Sequence, residues 1–268
     1  MRLVKVETLT LRIADRQPAF WDAVEHGRWE PLTLETIRAL CGPGTSFLDG
    51  GAWVGPTALM AAATGAQVLA IEADPAALDQ LHDNLAANPE LARRIAVLPR
   101  ALSAQAGDVR LGTERKPGSS MSSTLLPDAA SAWTVRSITP GELAAMVATE
   151  ERLVFKLDIE GGEYALAPSL GPLLDRAQTA VLLSTHPALL RDARGVDALP
   201  EATHWLLSAF APFTAYRREG AAWLPVSDPL APEELRLAER TAQDWLFLRD
   251  VPPPVHLLRA APPGNAPR

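Results

Sequence analysis

The chain is 268 residues long, 47% hydrophobic and 21% charged, and carries a formal net charge of −7. That length and composition fit one globular α/β domain with extensions, and no run of about 18 apolar residues occurs, so no membrane span is expected. The acidic balance argues against nucleic acid as a partner, and the single cysteine, Cys41, rules out an internal disulfide or a cysteine zinc cluster.

Met1 to Glu7 lack the apolar core of a signal peptide, which leaves a cytoplasmic location as the expectation. Apolar and polar residues alternate over 3–13, as in one or two antiparallel strands. A helix is expected over 30–40, a buried strand over 46–48, and an alanine-rich helix over 55–64. A second strand follows at 67–71. Pro75 then opens a helix to about residue 87, in a position where its missing N–H costs nothing. The third strand is 95–98, and further alternation suggests a hairpin turning at Gly107-Asp108 with 109–111 as its return. Residues 113–131 are different in kind, rich in Ser, Gly and Pro around Gly118 to Thr124. A long polar loop inside a compact domain is either functional or mobile, and here it is expected to close over a substrate. A short helix (140–149), a central strand (153–157), a helix broken near Pro168 and Pro172 (164–176) and a fifth strand (179–183) come next. Strands at 213–217 and 245–248 complete an expected seven-stranded sheet. The chain thus divides into a strand-and-helix extension (1–45), a core domain (46–251) and a Pro/Ala-rich tail (252–268) expected to fray.

The most informative stretch runs from Phe47 through Asp49-Gly50-Gly51-Ala52-Trp53-Val54-Gly55 to Glu72. Glycines without a Cβ let the backbone turn sharply and let a ligand approach. The following helix directs its unpaired N–H groups at the turn. Glu72 lies about 20 residues on, where an acid meets the ribose hydroxyls of a bound nucleoside. The glycine order is wrong for a dinucleotide, and no phosphate-binding G-x-x-x-x-G-K-[ST] loop occurs. Asp49 would repel a pyrophosphate but suits an ammonium and a sulfonium, which points to S-adenosyl-L-methionine.

Asp49 to Gly55 with Glu72, Pro99 to Ser103, and Lys156-Leu157-Asp158-Ile159-Glu160-Gly161-Gly162-Glu163 together resemble the FkbM family of S-adenosylmethionine-dependent O-methyltransferases. Trp29-Glu30-Pro31 is similar to that family's lead-in, and the resemblance covers residues 29–187. Trp53 stands where the family commonly has Asn, and Ser184 where many members have an acid. The resemblance implies a Rossmann-like class I methyltransferase fold, with a mostly parallel sheet and helices on both faces. It also implies cofactor contacts from Asp49, Gly50, Gly51, Gly55, Glu72, Ala73, Ala101, Leu102 and Asp158.

Methyl transfer from a sulfonium is an in-line displacement, and an alcohol acceptor must lose its proton as it attacks. The groups to search are those at the carboxyl ends of the strands. In an extended segment Lys156, Asp158 and Glu160 share one face. His186 ends the neighbouring strand, and its ordinary pKa suits a base near neutrality. The expected catalytic set is therefore Asp158, His186 and Lys156, with His186 as base. Glu160, Ser122 and Ser123 are expected to hold the acceptor. Asp158 and Glu160 lack a third ligand, so no metal is expected. The expected acceptor is a hydroxyl of a small molecule or carbohydrate, with no nucleic acid and no membrane, and a homodimer is allowed. A nitrogen or carboxylate acceptor, or a non-catalytic protein that binds the cofactor, is the alternative.

Overall fold

A computed structural model describes residues 1–6, 9–14, 16–147 and 152–259. Strands β1 (Arg2–Val6) and β2 (Leu9–Ile13) pair antiparallel, followed by helices over Pro18–Glu25 and Pro31–Leu40. Next come β3 (Thr45–Gly50), the helix Pro56–Ala63, β4 (Gln67–Glu72), the helix Pro75–Ala87 and β5 (Ile95–Pro99). Asp74 caps the latter helix, accepting from the Ala76 and Ala77 N–H groups at 2.8 and 3.4 Å, with Pro75 at its first position. Then follow β6 (Ala101–Leu102), β7 (Asp108–Thr113), β8 (Ser131–Ile138), β9 (Arg152–Leu157), β10 (Thr179–Ser184), β11 (Thr214–Glu219), β12 (Ala222–Val226) and β13 (Asp244–Arg249).

The main sheet runs β12-β11-β13-β10-β9-β3-β4-β5. The strands from β5 to β10 are mutually parallel, β13 is antiparallel to both of its neighbours, and β12 turns back on β11. The expected α/β, Rossmann-like class I architecture is present, with one strand more than the seven expected. That strand, β12, is an edge hairpin partner to which the sequence reading assigned no element. Strand order reverses between β3 and β9, the crevice where open α/β sheets bind ligands.

β9 is buried from Leu153 to Leu157, as suits a parallel strand covered on both faces. Its alternate residues feed two cores: Val154 packs with Phe47 and Leu59, and Phe155 with Leu48 and Phe247. The first core also takes in Val4, Leu11, Ile13 and Trp21, so the N-terminal segment packs onto the sheet domain. Asn88 clamps it by exchanging hydrogen bonds with the Arg12 backbone at 3.0 and 2.7 Å.

Two local expectations are overturned. Residues 109–111 do not return on the strand before them: β7 pairs antiparallel with β8, which in turn pairs parallel with β6. Local alternation reveals a strand but not its partner, and here the partner lies beyond the polar loop. Residues 252–259 do not fray, because Leu257 is buried and Leu258 bridges to Trp223. The rest of the tail, and residues 148 and 149 of the expected helix, lie outside the described residues. Among the described residues, no helix is long and apolar enough to cross a membrane.

Candidate active site

A cleft of about 1150 Å³, measured to its open mouth, lies at the switch point. One wall is the turn after β3. Gly51 has φ +78°, and a Cβ there would stand 2.0 Å from the Asp158 carbonyl oxygen, so only glycine lets the two loops touch. Trp53 also takes a left-handed backbone, φ +49°. Asn accepts that conformation readily, but Trp53 is held in it by its partners. Its ring packs edge-on against Phe20 at 4.4 Å, and its Nε1 donates to the Gly118 carbonyl at 2.9 Å.

Glu72, at the end of β4, accepts three backbone N–H groups: Trp53 at 2.7 Å, Ala73 at 2.8 Å and Asp74 at 2.7 Å. Burial raises its pKa and these bonds oppose the rise. A carboxylate offers about four lone-pair directions, so Glu72 has room for one ribose hydroxyl, where its place in the sequence suggested both. Of the residues expected to contact the cofactor, Gly51, Glu72, Ala73, Ala101, Leu102 and Asp158 line the cleft.

Asp49, Gly50 and Gly55 do not line it. Asp49 is fully buried; its Oδ2 accepts from Thr57 at 2.6 Å, and its Oδ1 is 3.8 Å from Lys156 Nζ. It builds the turn from beneath, so the expected contact with an ammonium is corrected. At Gly50 a Cβ would stand 3.0 Å from the Lys156 carbonyl, and at Gly55 (φ +90°) 2.5 Å from Leu81 Cδ1; both are packing requirements.

The opposite wall carries the charged groups. Lys156 Nζ is 3.1 Å from Asp158 Oδ2. Burial disfavours both charges, but the pair outweighs it, raising the Lys156 pKa and lowering that of Asp158, with help from His186. Asp158 Oδ1 faces His186 Nε2 at 3.5 Å, and Glu160 Oε2 faces the same nitrogen at 3.7 Å. Glu160 is delivered by a left-handed backbone (φ +54°), and burial pushes its pKa up to about 7. Behind His186, Glu163 is fully buried and accepts the His186 N–H at 2.9 Å, faces its Nδ1 at 3.1 Å, and accepts the Gly161 N–H at 2.9 Å. Burial alone would lower the His186 pKa, yet Glu163, Asp158 and Glu160 raise it to about 10. An imidazolium has no free lone pair, so His186 is not the neutral-pH base expected of it.

The structure thus unites Lys156, Asp158, Glu160 and His186, and adds a third ligand type to the two carboxylates. The expectation of no metal rested on that ligand being missing, and His186 stands beside the two carboxylates as that ligand type. Glu30 and Asp244 also line the cleft and were not singled out. Glu30 lies in the Trp-Glu-Pro lead-in, and its pKa rises to about 7 through burial and then Asp158. Asp244 sits opposite Ser184 in the β10–β13 register and accepts its hydroxyl at 2.9 Å, so an acid reaches this position from the adjacent strand.

Ser122 lines the cleft with Ser119, Ser120 and Thr124. Asp74 Oδ2 anchors the segment, accepting Gly118 N–H at 2.7 Å and Ser122 Oγ at 3.0 Å. Ser123 faces inward, fully buried, and donates to the Glu160 carbonyl. It supports the Glu160 turn, so the expected acceptor contact is corrected.

No protein-family model matches the chain, and no curated protein matches it. It is similar in fold to solved structures at low identity. One is a precorrin-6y C5,15-methyltransferase from Geobacter metallireducens, 11% identical, with 82% of this chain and 86% of that one covered and a TM-score of 0.39. Another is an S-adenosylmethionine-dependent O-methyltransferase from Thermotoga maritima, 11% identical, covering 82% and 65%, TM-score 0.42. A third is an rRNA methylase from Streptococcus thermophilus, 13% identical, covering 82% and 95%, TM-score 0.42. The exclusion of nucleic acid drawn from net charge does not stand, since a whole-chain sum says nothing of one surface; an rRNA methylase is one of the proteins of similar fold.

Proposed function

We propose that this chain is an S-adenosylmethionine-dependent O-methyltransferase acting on a hydroxyl of a small molecule or sugar, as the motif resemblance to the FkbM family implies. The observation that carries the reading is the cleft at the β3–β9 switch point. It joins the Gly51–Glu72 nucleoside wall to the Asp158–Glu160 wall. Five carboxylates, Glu30, Glu72, Asp158, Glu160 and Asp244, line it against the cations Arg100, Lys156 and His186. That balance suits a cofactor carrying a sulfonium and an ammonium better than one carrying a pyrophosphate.

The cofactor, when bound, supplies a methyl on positively charged sulfur; transfer breaks that S–C bond, forms a C–O bond and leaves a neutral thioether and one proton. Glu72 takes a ribose hydroxyl, and Gly51 lets its turn close against the Asp158 carbonyl, which sets the two walls side by side. Lys156 fixes Asp158 through Oδ2, leaving Oδ1 toward the acceptor end. Asp158 and Glu160 are the groups able to take up the hydroxyl proton. The polar segment carrying Ser119, Ser120 and Ser122 covers the acceptor end. Transfer to an amine nitrogen is the second reading, favoured by the same carboxylates, which would attract an ammonium.

Calorimetric titration with S-adenosylmethionine and with NAD tests the cofactor. Labelled-methyl transfer to a panel of polyols, sugars, phenols, amines and RNA tests the acceptor. Tighter binding of NAD, or no binding of S-adenosylmethionine, would sink the reading.

A further inference from the structure

We propose that Asp158, Glu160 and His186 form a binding site for one divalent first-row transition-metal ion. The role given to that ion deepens the methyl-transfer reading and rests on it; the binding itself does not.

One ligand atom from each of the three residues lies within 4.8 Å of the others. The edges from His186 Nε2 are 3.5 Å to Asp158 Oδ1 and 3.7 Å to Glu160 Oε2. Donors at roughly 2.1 Å from a common centre make edges of that length at about tetrahedral to trigonal angles. Each donor is aimed by something behind it. Lys156 occupies Oδ2 of Asp158 and leaves Oδ1 for the ion. Glu163, buried and bonded to the His186 backbone, holds Nδ1 and turns Nε2 toward the carboxylates. A carboxylate behind a histidine in this way is the usual support of a metal-bound imidazole.

An independent observation points to a cation. Glu160 Oε2 has almost no solvent exposure and no hydrogen-bond partner. A buried carboxylate oxygen with no hydrogen bond, and with the His186 ring no nearer than 3.7 Å, is costly, and an ion between it, Asp158 and His186 removes that cost. One imidazole and two carboxylates suit Mn²⁺, Fe²⁺ or Zn²⁺ better than Ca²⁺, which prefers oxygen alone. Three protein ligands leave coordination positions open, and all three residues line the cleft. Binding of the ion would release the proton that His186 holds in the ion-free protein and free Nε2 as a ligand; Glu160 would serve as a ligand too, and the Lewis acid would lower the pKa of an acceptor hydroxyl.

The test uses the full chain, stripped with EDTA and free of S-adenosylmethionine, titrated with Mn²⁺ by calorimetry and by loss of the free-ion EPR signal. Saturable binding of one ion per chain is expected. Glu160→Gln and His186→Gln should each weaken it more than tenfold, and Glu163→Gln by about 10–100-fold, with circular dichroism confirming the fold. Co²⁺ in place of Mn²⁺ should give visible bands that change in His186→Gln. No saturable binding by the wild type, or unchanged affinity in both Glu160→Gln and His186→Gln, overturns the site. S-adenosylmethionine titrated into the EDTA-treated protein separates the two failures. Cofactor binding without Mn²⁺ binding sinks only the metal site, and Mn²⁺ binding without cofactor binding sinks only the methyl-transfer reading.

Discussion

Oε1 of Glu163 lies 2.9 Å from the His186 backbone nitrogen and 3.1 Å from His186 Nδ1, so one buried carboxylate sets both the main chain and the ring. Its other oxygen accepts the Gly161 N–H at 2.9 Å. Glu163→Ala strips these donors of their acceptor, each worth about 1–3 kcal/mol when buried. Urea unfolding should show a loss of about 2–5 kcal/mol, and Glu163→Gln, which keeps a carbonyl oxygen, should lose clearly less.

Glu72 should matter with and without ligand. Glu72→Ala removes the acceptor of three backbone N–H groups and of a ribose hydroxyl. Charge-assisted bonds are worth about 1.5–3 kcal/mol, so calorimetry should show S-adenosylmethionine bound at least tenfold more weakly. The melting temperature of the ligand-free protein should fall as well.

Gly51 and Gly220 make a matched pair. Both have positive φ, +78° and +63°, but only at Gly51 would a Cβ collide, 2.0 Å from the Asp158 oxygen. Gly220→Ala should cost the left-handed penalty alone, about 1–2 kcal/mol. Gly51→Ala should cost several kcal/mol more or yield no folded protein, as read by denaturation of the two purified variants.

The raised pKa of Glu30 gives stability a pH dependence. The folded protein holds this proton up to about pH 7, whereas an unfolded chain releases it near the ordinary carboxyl value. The folded state therefore binds more protons in that window, and this contribution to stability falls as pH rises through it. Glu30→Gln should stabilise the protein at pH 8 by about 1–3 kcal/mol relative to wild type. The difference should vanish near pH 4, as measured by urea unfolding at both values.

Asp74 caps a helix with one oxygen and anchors Gly118 and Ser122 with the other. If the segment closes over the acceptor, Asp74→Asn should lower turnover while leaving cofactor affinity within a few-fold of wild type. Hydrogen exchange should speed up at Gly118 and its neighbours. Unchanged turnover with faster exchange would make the segment a passive loop.

The sheet's parallel core, the glycine turn after β3 and the acid that ends β4 were legible in the sequence because they rest on local rules. Apolar runs of strand length, glycines at a sharp turn, Pro75 after Asp74 and an acid at the end of β4 each constrain only their own neighbourhood. β12 and the pairing of β7 with β8 escaped that reading, since a strand's partner is set by contacts across long stretches of chain. The acidic residues of the Lys-x-Asp-x-Glu-Gly-x-Glu segment were visible in order but not in role. A two-residue period put Asp158 and Glu160 on one face, whereas the chain leaves the strand at Leu157 and turns left-handed at Glu160.

What the sequence determined by itself is which residue types stand at which strand ends: Glu72 at the end of β4, Asp158 after β9, His186 after β10. What only the tertiary structure decided is their charge state and company. Asp49 reads as a ligand contact until Thr57 and Lys156 are seen to bury it. His186 reads as a base until three carboxylates are seen around it, which raise its pKa. Burial and the charges gathered from separate strands set a group's pKa, and neither quantity exists along the chain; both arise when the sheet brings distant residues within a few ångströms.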